Sequence, residues 1–84
     1  MRRIVLDTET TGFAAPVFLV ELAAQRMRGW ESDGAPFWKL LNQNADIPAE
    51  ASRVHGYTRE ILERDGEPAH QVYREFAEYA GGLP

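Results

Sequence analysis

Apolar and polar positions divide the chain into two unlike halves. Ile4-Val5-Leu6 is an uninterrupted aliphatic burst that stops at Asp7-Thr8-Glu9-Thr10-Thr11-Gly12. An apolar run without alternation predicts a strand covered on both faces. The stretch from Val17 to Met27 is again mostly apolar, interrupted by Glu21, Gln25 and Arg26, and predicts a second strand over Phe18–Arg28. Glu31-Ser32-Asp33-Gly34 reads as a turn, because Asp-Gly tolerates the positive φ that tight hairpins need. Pro36–Asn42 follows as a third strand, with Phe37 and Trp38 as its aromatic residues. Three strands on short links predict an antiparallel meander.

Beyond Asn44 the period changes. Pro48-Ala49-Glu50-Ala51-Ser52-Arg53 predicts a short helix with proline in its first turn, broken by Val54-His55-Gly56-Tyr57. Thr58 takes the N-cap position of a second short helix, with Glu60 in its first turn and an end near Asp65-Gly66. Pro68 opens a longer helix in which Ala69, Val72, Tyr73, Phe76 and Ala80 form one apolar stripe, and Gly81-Gly82 stops it. One such helix covers a single face of a three-stranded sheet. The first strand reads as covered on both, so something beyond Pro84, or self-association with another chain, is expected to complete the core.

With 84 residues the chain holds at most one domain, and a chain this short buries only ~60% of its unfolded surface. Nine basic against thirteen acidic side chains leave a net charge of −4. That balance argues against a protein that holds nucleic acid by basic charge alone, and leaves room for an acidic site that needs divalent cations. The absence of cysteine excludes disulfide frameworks and cysteine-based zinc sites, and fits a reducing, cytoplasmic location. Ile4–Leu6 is too short for the core of a signal peptide. The apolar run from Phe13 to Ala24 is broken by Pro16 and Glu21 and is too short to span a bilayer, so no membrane association is expected.

The candidate chemistry sits where the first strand ends. Residues i and i+2 of a strand point to one face, about 6.6 Å apart along the chain, so Asp7 and Glu9 project together. Two neighbouring carboxylates repel and resist burial. A hard divalent cation such as Mg²⁺ or Mn²⁺ compensates them, and strand ends are where open α/β sheets carry their sites. Thr8, Thr10, Thr11 and Gly12 supply hydroxyls and backbone N–H groups beside them. Asp-x-Glu alone is common and equally fits an exposed acidic turn after an edge strand. The aliphatic burst before it and Thr-Thr-Gly after it favour the site.

Ile4-Val5-Leu6-Asp7-Thr8-Glu9-Thr10-Thr11-Gly12 resembles the first motif of the DEDD 3′–5′ exonucleases of the DnaQ-like, DEDDh type, a family that includes the proofreading subunits of bacterial DNA polymerase III. Leu19-Val20-Glu21-Leu22-Ala23-Ala24 resembles the family's second strand. Val54-His55-Gly56-Tyr57-Thr58 resembles its His-Gly-Ile-Thr segment, with tyrosine in place of isoleucine. The resemblance implies a ribonuclease H-like α/β fold, here incomplete: a three-stranded meander, two short helices and a longer one. It implies two-metal hydrolysis of a terminal phosphodiester, with two Mg²⁺ or Mn²⁺ ions. Asp7 and Glu9 would be the first two of four acidic ligands. Thr8, Thr10 and Gly12 would line the terminal nucleotide, and Val54 and His55 would approach it from the far side. Expected partners are single-stranded DNA or RNA 3′ ends and polymerase III subunits. The remaining two aspartates and the general-base histidine have no counterpart in the 84 residues. Residues 1–84 therefore read as the N-terminal part of a single exonuclease domain, inactive by itself.

Other residues carry plainer readings. His55 reads equally as a loop histidine with a structural hydrogen bond. His70 reads as surface; Trp30 and Trp38 read as a strand-end anchor and a sheet aromatic ahead of base-stacking residues; and Glu21 reads as the acceptor of an inter-strand hydrogen bond or a sheet-edge residue ahead of a third metal ligand. Two other functions compete. Haloacid dehalogenase-type phosphatases also end a strand in Asp-x-Asp-x-Thr, but Glu9 is one methylene longer and would misplace the acid. A non-catalytic module that binds a polymerase or nucleic acid would need neither the missing ligands nor metal.

Overall fold

The computed structural model describes residues 2–12 and 17–81. β1 (Arg2–Thr10) pairs antiparallel with β2 (Leu19–Arg28), which pairs antiparallel with β4 (Phe37–Asn42). This is the expected meander. Two elements of two residues each add to it: β3 (Glu31–Ser32) pairs with β2, and β5 (Glu67–Pro68) lies parallel to β4. The helices are α1 (Ala49–His55), α2 (Arg59–Asp65) and α3 (Ala69–Ala80). The architecture is a partial ribonuclease H-like α/β fold. Among the described residues, no helix is long and apolar enough to cross a membrane.

The sheet's main apolar layer lies under α3. Leu22, Ala24, Phe37, Leu41 and Val72 form one buried cluster, against which Ile4, Leu19, Ala69, Phe76 and Tyr79 pack. Phe76 meets Phe37 edge-on at 5.6 Å between ring centroids, and Tyr79 lies 5.4 Å from the same ring. A second cluster of Val20, Leu40 and Leu62 seats α2, with Ile47 and Tyr57 at its border. Fully burying a side chain such as Val72 is worth roughly 1.5–3 kcal/mol.

Three expectations from the sequence need correction, and one stays an expectation. Val5 and Leu6 of β1 are 56% and 53% exposed, so the described residues do not supply the cover that is expected from beyond Pro84 or from another chain. Among the described residues β1 pairs with β2 alone. Hydropathy reports which residues gain from cover, not what supplies it. The hairpin reverses at Gly29-Trp30 rather than at Glu31–Gly34, because Arg28 pairs with Glu31 and Met27 with Ser32. Gly29, at φ +63°, supplies the left-handed backbone this two-residue reversal needs. α1 runs through Val54 and His55 and closes on Gly56, so these two residues complete its last turn instead of breaking it. In α3 the packed stripe is Ala69, Val72, Phe76 and Tyr79, whereas Tyr73 is 44% exposed. Gly82, half of the expected helix stop, lies outside the described residues, as do Phe13–Pro16 of the apolar run; Gly81 stands at the C-cap of α3.

Candidate active site

In the β1–β2 ladder Asp7 stands opposite Ala23 and Glu9 opposite Glu21. Opposed residues share a face, so Asp7, Glu9 and Glu21 all project to one side. Trp38 and Leu40 of β4 continue the same two rows. Asp7 is exposed, and Glu9 is half-buried. The register shifts between Glu9 and Thr10, which pairs with Leu19. The extra residue is Val20, so β2 carries the bulge, which bends that strand where it passes Glu9 and Thr10.

Beyond Thr10 the chain turns under close control. Thr11 is buried; its N–H donates to the Phe18 carbonyl at 2.9 Å, and its hydroxyl accepts from the Phe18 N–H at 3.1 Å. The Thr10 hydroxyl accepts from the Gly12 N–H at 3.2 Å. Gly12 has φ +121°, a conformation that side chains with a Cβ rarely adopt, and it faces Ala51 of α1.

The last turn of α1 closes the opposite wall. His55 Nε2–H donates to the Thr10 carbonyl at 3.0 Å, while Nδ1 accepts from the Tyr57 N–H at 3.0 Å. The second bond fixes the tautomer: Nδ1 is the acceptor, so Nε2 carries the proton. Both ring nitrogens are engaged, and neither is free to abstract a proton. The His55 and Tyr57 rings stack at 5.3 Å, and the Ser52 hydroxyl donates to the Tyr57 carbonyl at 2.6 Å.

Between these walls lies a cleft of about 570 Å³ lined by Glu9, Thr10, Thr11, Gly12, Pro48, Glu50, Ala51, Val54 and His55. The structure thus gathers Glu9, Thr10, Gly12, Val54 and His55 from the sequence-derived set around one opening. Asp7 and Thr8 lie outside its wall, Asp7 on the same sheet face as Glu9. Thr11, which the sequence places beside the carboxylates, also lines the opening, whereas Pro48, Glu50 and Ala51 carry no such signal, since a cleft between a strand end and a helix has no signature along the chain.

Glu21 is the acceptor its place in an apolar strand predicts. Its Oε2 accepts from Trp38 Nε1 at 2.7 Å, across the β2–β4 pair, and from the Tyr57 hydroxyl at 2.5 Å. The bond to Glu21 is the main reason the Tyr57 phenol is pushed up to about 12, with burial and the Glu21 and Glu9 charges adding to it. Trp38 therefore spans two strands as a sheet aromatic, and both bonds fall on one oxygen of Glu21. His70 is exposed, as expected. No group of three or more His, Asp or Glu side chains converges to hold a metal among the described residues. The donor chemistry of Asp7 and Glu9, two carboxylates on one face, fits a hard divalent cation but is only part of a full ligand set.

The exonuclease family model (RNase_T) matches residues 4–83 of the chain. The chain is similar to DNA polymerase III subunit epsilon of Rickettsia conorii, at 36% identity over 81 residues, covering 94% of this chain and 35% of that protein. The same subunit of Rickettsia felis is 35% identical over 81 residues, again covering 94% of this chain and 35% of the relative. That of Pasteurella multocida is 34% identical over 87 residues, covering 96% of this chain and 34% of the relative. The chain spans about a third of the length of these curated relatives. With a family match running from β1 through α3 and a cleft assembled from the segments that carry the motifs, the chain belongs to the exonuclease family.

Proposed function

We propose that these 84 residues are the N-terminal part of a single 3′–5′ exonuclease domain that removes nucleotides from nucleic-acid 3′ ends, DNA in a proofreading role. The reading rests on one observation: Glu9, Thr10, Gly12, Val54 and His55 surround a single cleft, with Asp7 on the same sheet face as Glu9. A cleft of about 570 Å³ has room for one terminal nucleotide. Thr10 and Gly12 form its floor, Val54 offers apolar contact to a base or sugar, and His55 keeps α1 against the strand end. Thr8 lies between the two carboxylates in β1 and projects to the other face of the sheet.

Asp7 and Glu9 would hold divalent cations, Mg²⁺ or Mn²⁺. When bound, such ions polarise the phosphoryl group, make water nucleophilic at neutral pH and, as a pair, stabilise both entering and leaving oxygens. The chain's own residues orient the 3′ end and supply negative charge to grip the ions. His55 does not act as the base, since both of its nitrogens are engaged. Two carboxylates fix no geometry for in-line attack, so the 84 residues alone are expected to hydrolyse nothing measurable. Partners follow from the relatives' printed name: polymerase III subunits, in the complete protein.

The test is product analysis with the complete gene product. Oligonucleotides labelled at the 5′ end should shorten one nucleotide at a time from the 3′ end, only with Mg²⁺ or Mn²⁺. Asp7→Ala and Glu9→Ala should each abolish this. Wild-type rates in either variant would remove the assignment, and phosphate transfer to Asp7 would move the chain to the phosphatase reading.

A further inference from the structure

Four of the nine basic residues gather at the end of the sheet away from the cleft: Arg2, Arg3, Arg26 and Arg28. At ~3.3 Å per residue, Arg2 lies about 23 Å along β1 from Glu9. Arg2 stands directly opposite Arg28, and Arg26 opposite Ile4, so Arg2, Arg26 and Arg28 share one face. Like charges set opposite each other are destabilising, and an anion between them reverses the sign. None of the four arginines closes an ion pair within 4.0 Å among the described residues. Glu31 opposes Arg28 in the β2–β3 ladder, and Asp33 is nearby, yet neither engages them.

Arg2, Arg26 and Arg28, with Asp33, Ala80 and Gly81, line a second cleft of about 300 Å³. Arg26 is pre-oriented there. Its guanidinium lies 4.7 Å over the Tyr79 ring and donates from Nη1 to the Tyr79 carbonyl at 3.3 Å, while its buried Nε has no acceptor. Trp30, at the hairpin tip two residues after Arg28, is 88% exposed, and the guanidinium 4.4 Å over its ring is that of Arg3, which projects to the other sheet face from Arg2, Arg26 and Arg28. An indole this exposed contributes little to the core.

We propose that this end of the sheet is a second nucleic-acid contact, in which Arg2, Arg26 and Arg28 hold the phosphodiester backbone of a single strand and Trp30 stacks a base. Guanidinium forks match phosphate oxygens. Basic grooves joined to exposed aromatics bind single strands without sequence preference. An acidic peptide would use the arginines and leave Trp30 idle, which favours the strand. The contact stands apart from hydrolysis at the first cleft and does not depend on it.

The test follows Trp30 fluorescence in a Trp38→Phe background as oligothymidylate is added in EDTA, where no cleavage occurs. Binding should quench Trp30. Each phosphate contact to a single strand contributes about −0.7 to the slope of log K against log salt, so Arg2→Gln with Arg28→Gln should flatten that slope by about 1.4. Both side chains are exposed, so this pair of changes leaves the fold intact, which circular dichroism checks. Glu9→Gln, which removes a proposed cleavage residue, should leave the quench unchanged. An unaltered affinity and slope in the double arginine variant would overturn the proposal. So would polyglutamate binding as tightly as the oligonucleotide without quenching.

Discussion

Glu9 and Glu21 stand directly opposite each other on β1 and β2, and Tyr57 reaches over from the α1–α2 junction to donate its hydroxyl to Glu21. The two carboxylates would otherwise repel across the ladder. Tyr57 and Trp38 hold Glu21, which leaves Glu9 at the cleft without a hydrogen-bond donor of its own among the described residues. One acid thus accepts two hydrogen bonds, while its neighbour on β1 accepts none among the described residues. Tyr57 stands where the family resemblance has isoleucine, so this arrangement is built from the chain's own departure.

Tyr57→Phe should therefore destabilise the fold by about 1–2 kcal/mol, as expected for a lost hydrogen bond to a partly exposed carboxylate. Chemical denaturation would measure it. The same change loosens the loop whose backbone N–H meets His55, so nucleotide affinity in the complete protein should fall with it. An unchanged denaturation midpoint would mean that Glu21 finds another donor.

Tyr57 should ionise well after an ordinary tyrosine. Its pKa is pushed up to about 12 from 10.0, first by the bond to Glu21. A raised folded pKa means that this stabilisation is full below pH ~10 and is lost as pH climbs towards 12. Absorbance titration of the phenolates should show one late tyrosine. In Glu21→Gln that late step should move back towards 10.

Gly66→Ala should be among the most damaging small substitutions. A Cβ there would lie 2.5 Å from the Leu62 carbonyl oxygen, 2.8 Å from the Asn42 nitrogen and 3.0 Å from the Leu41 carbonyl carbon. All three are backbone atoms that cannot swing aside, and overpacking costs about 1–3 kcal/mol even where side chains can give. We expect a loss of at least about 2 kcal/mol by thermal or chemical unfolding, because α2 would be lifted from β4.

Tyr79→Phe should cost about 1 kcal/mol. The hydroxyl accepts from the Arg26 N–H at 2.9 Å and donates to the Ala35 carbonyl at 3.0 Å, joining α3 to β2 and to the segment before β4. The ring's contact with Phe37 survives the change, so the effect isolates the hydroxyl. Urea denaturation checks it.

Much of this fold was legible along the chain because local signals agreed. The meander follows from three apolar runs on short links. Thr58 does cap α2, its hydroxyl accepting from the Ile61 N–H at 3.3 Å. What failed was what depends on distant partners. Tyr79 rather than Tyr73 packs, because the angle at which α3 crosses the sheet decides which flank of the stripe is covered. The bulge at Val20 and the Thr10–His55 bond are likewise invisible in sequence, since each depends on an approach that only the folded chain sets. The acidic pair and the motif segments were readable from residue type; their convergence on one cleft was not.

In the proposed function, Asp7 and Glu9 together grip divalent ions. The most direct measurement is calorimetric titration of Mn²⁺ into the complete gene product, its Asp7→Asn variant and its Glu9→Gln variant. Uptake by the parent protein is expected, with at least tenfold weaker binding in each variant and the fold unchanged by circular dichroism. Equal Mn²⁺ affinity in all three proteins would contradict that function.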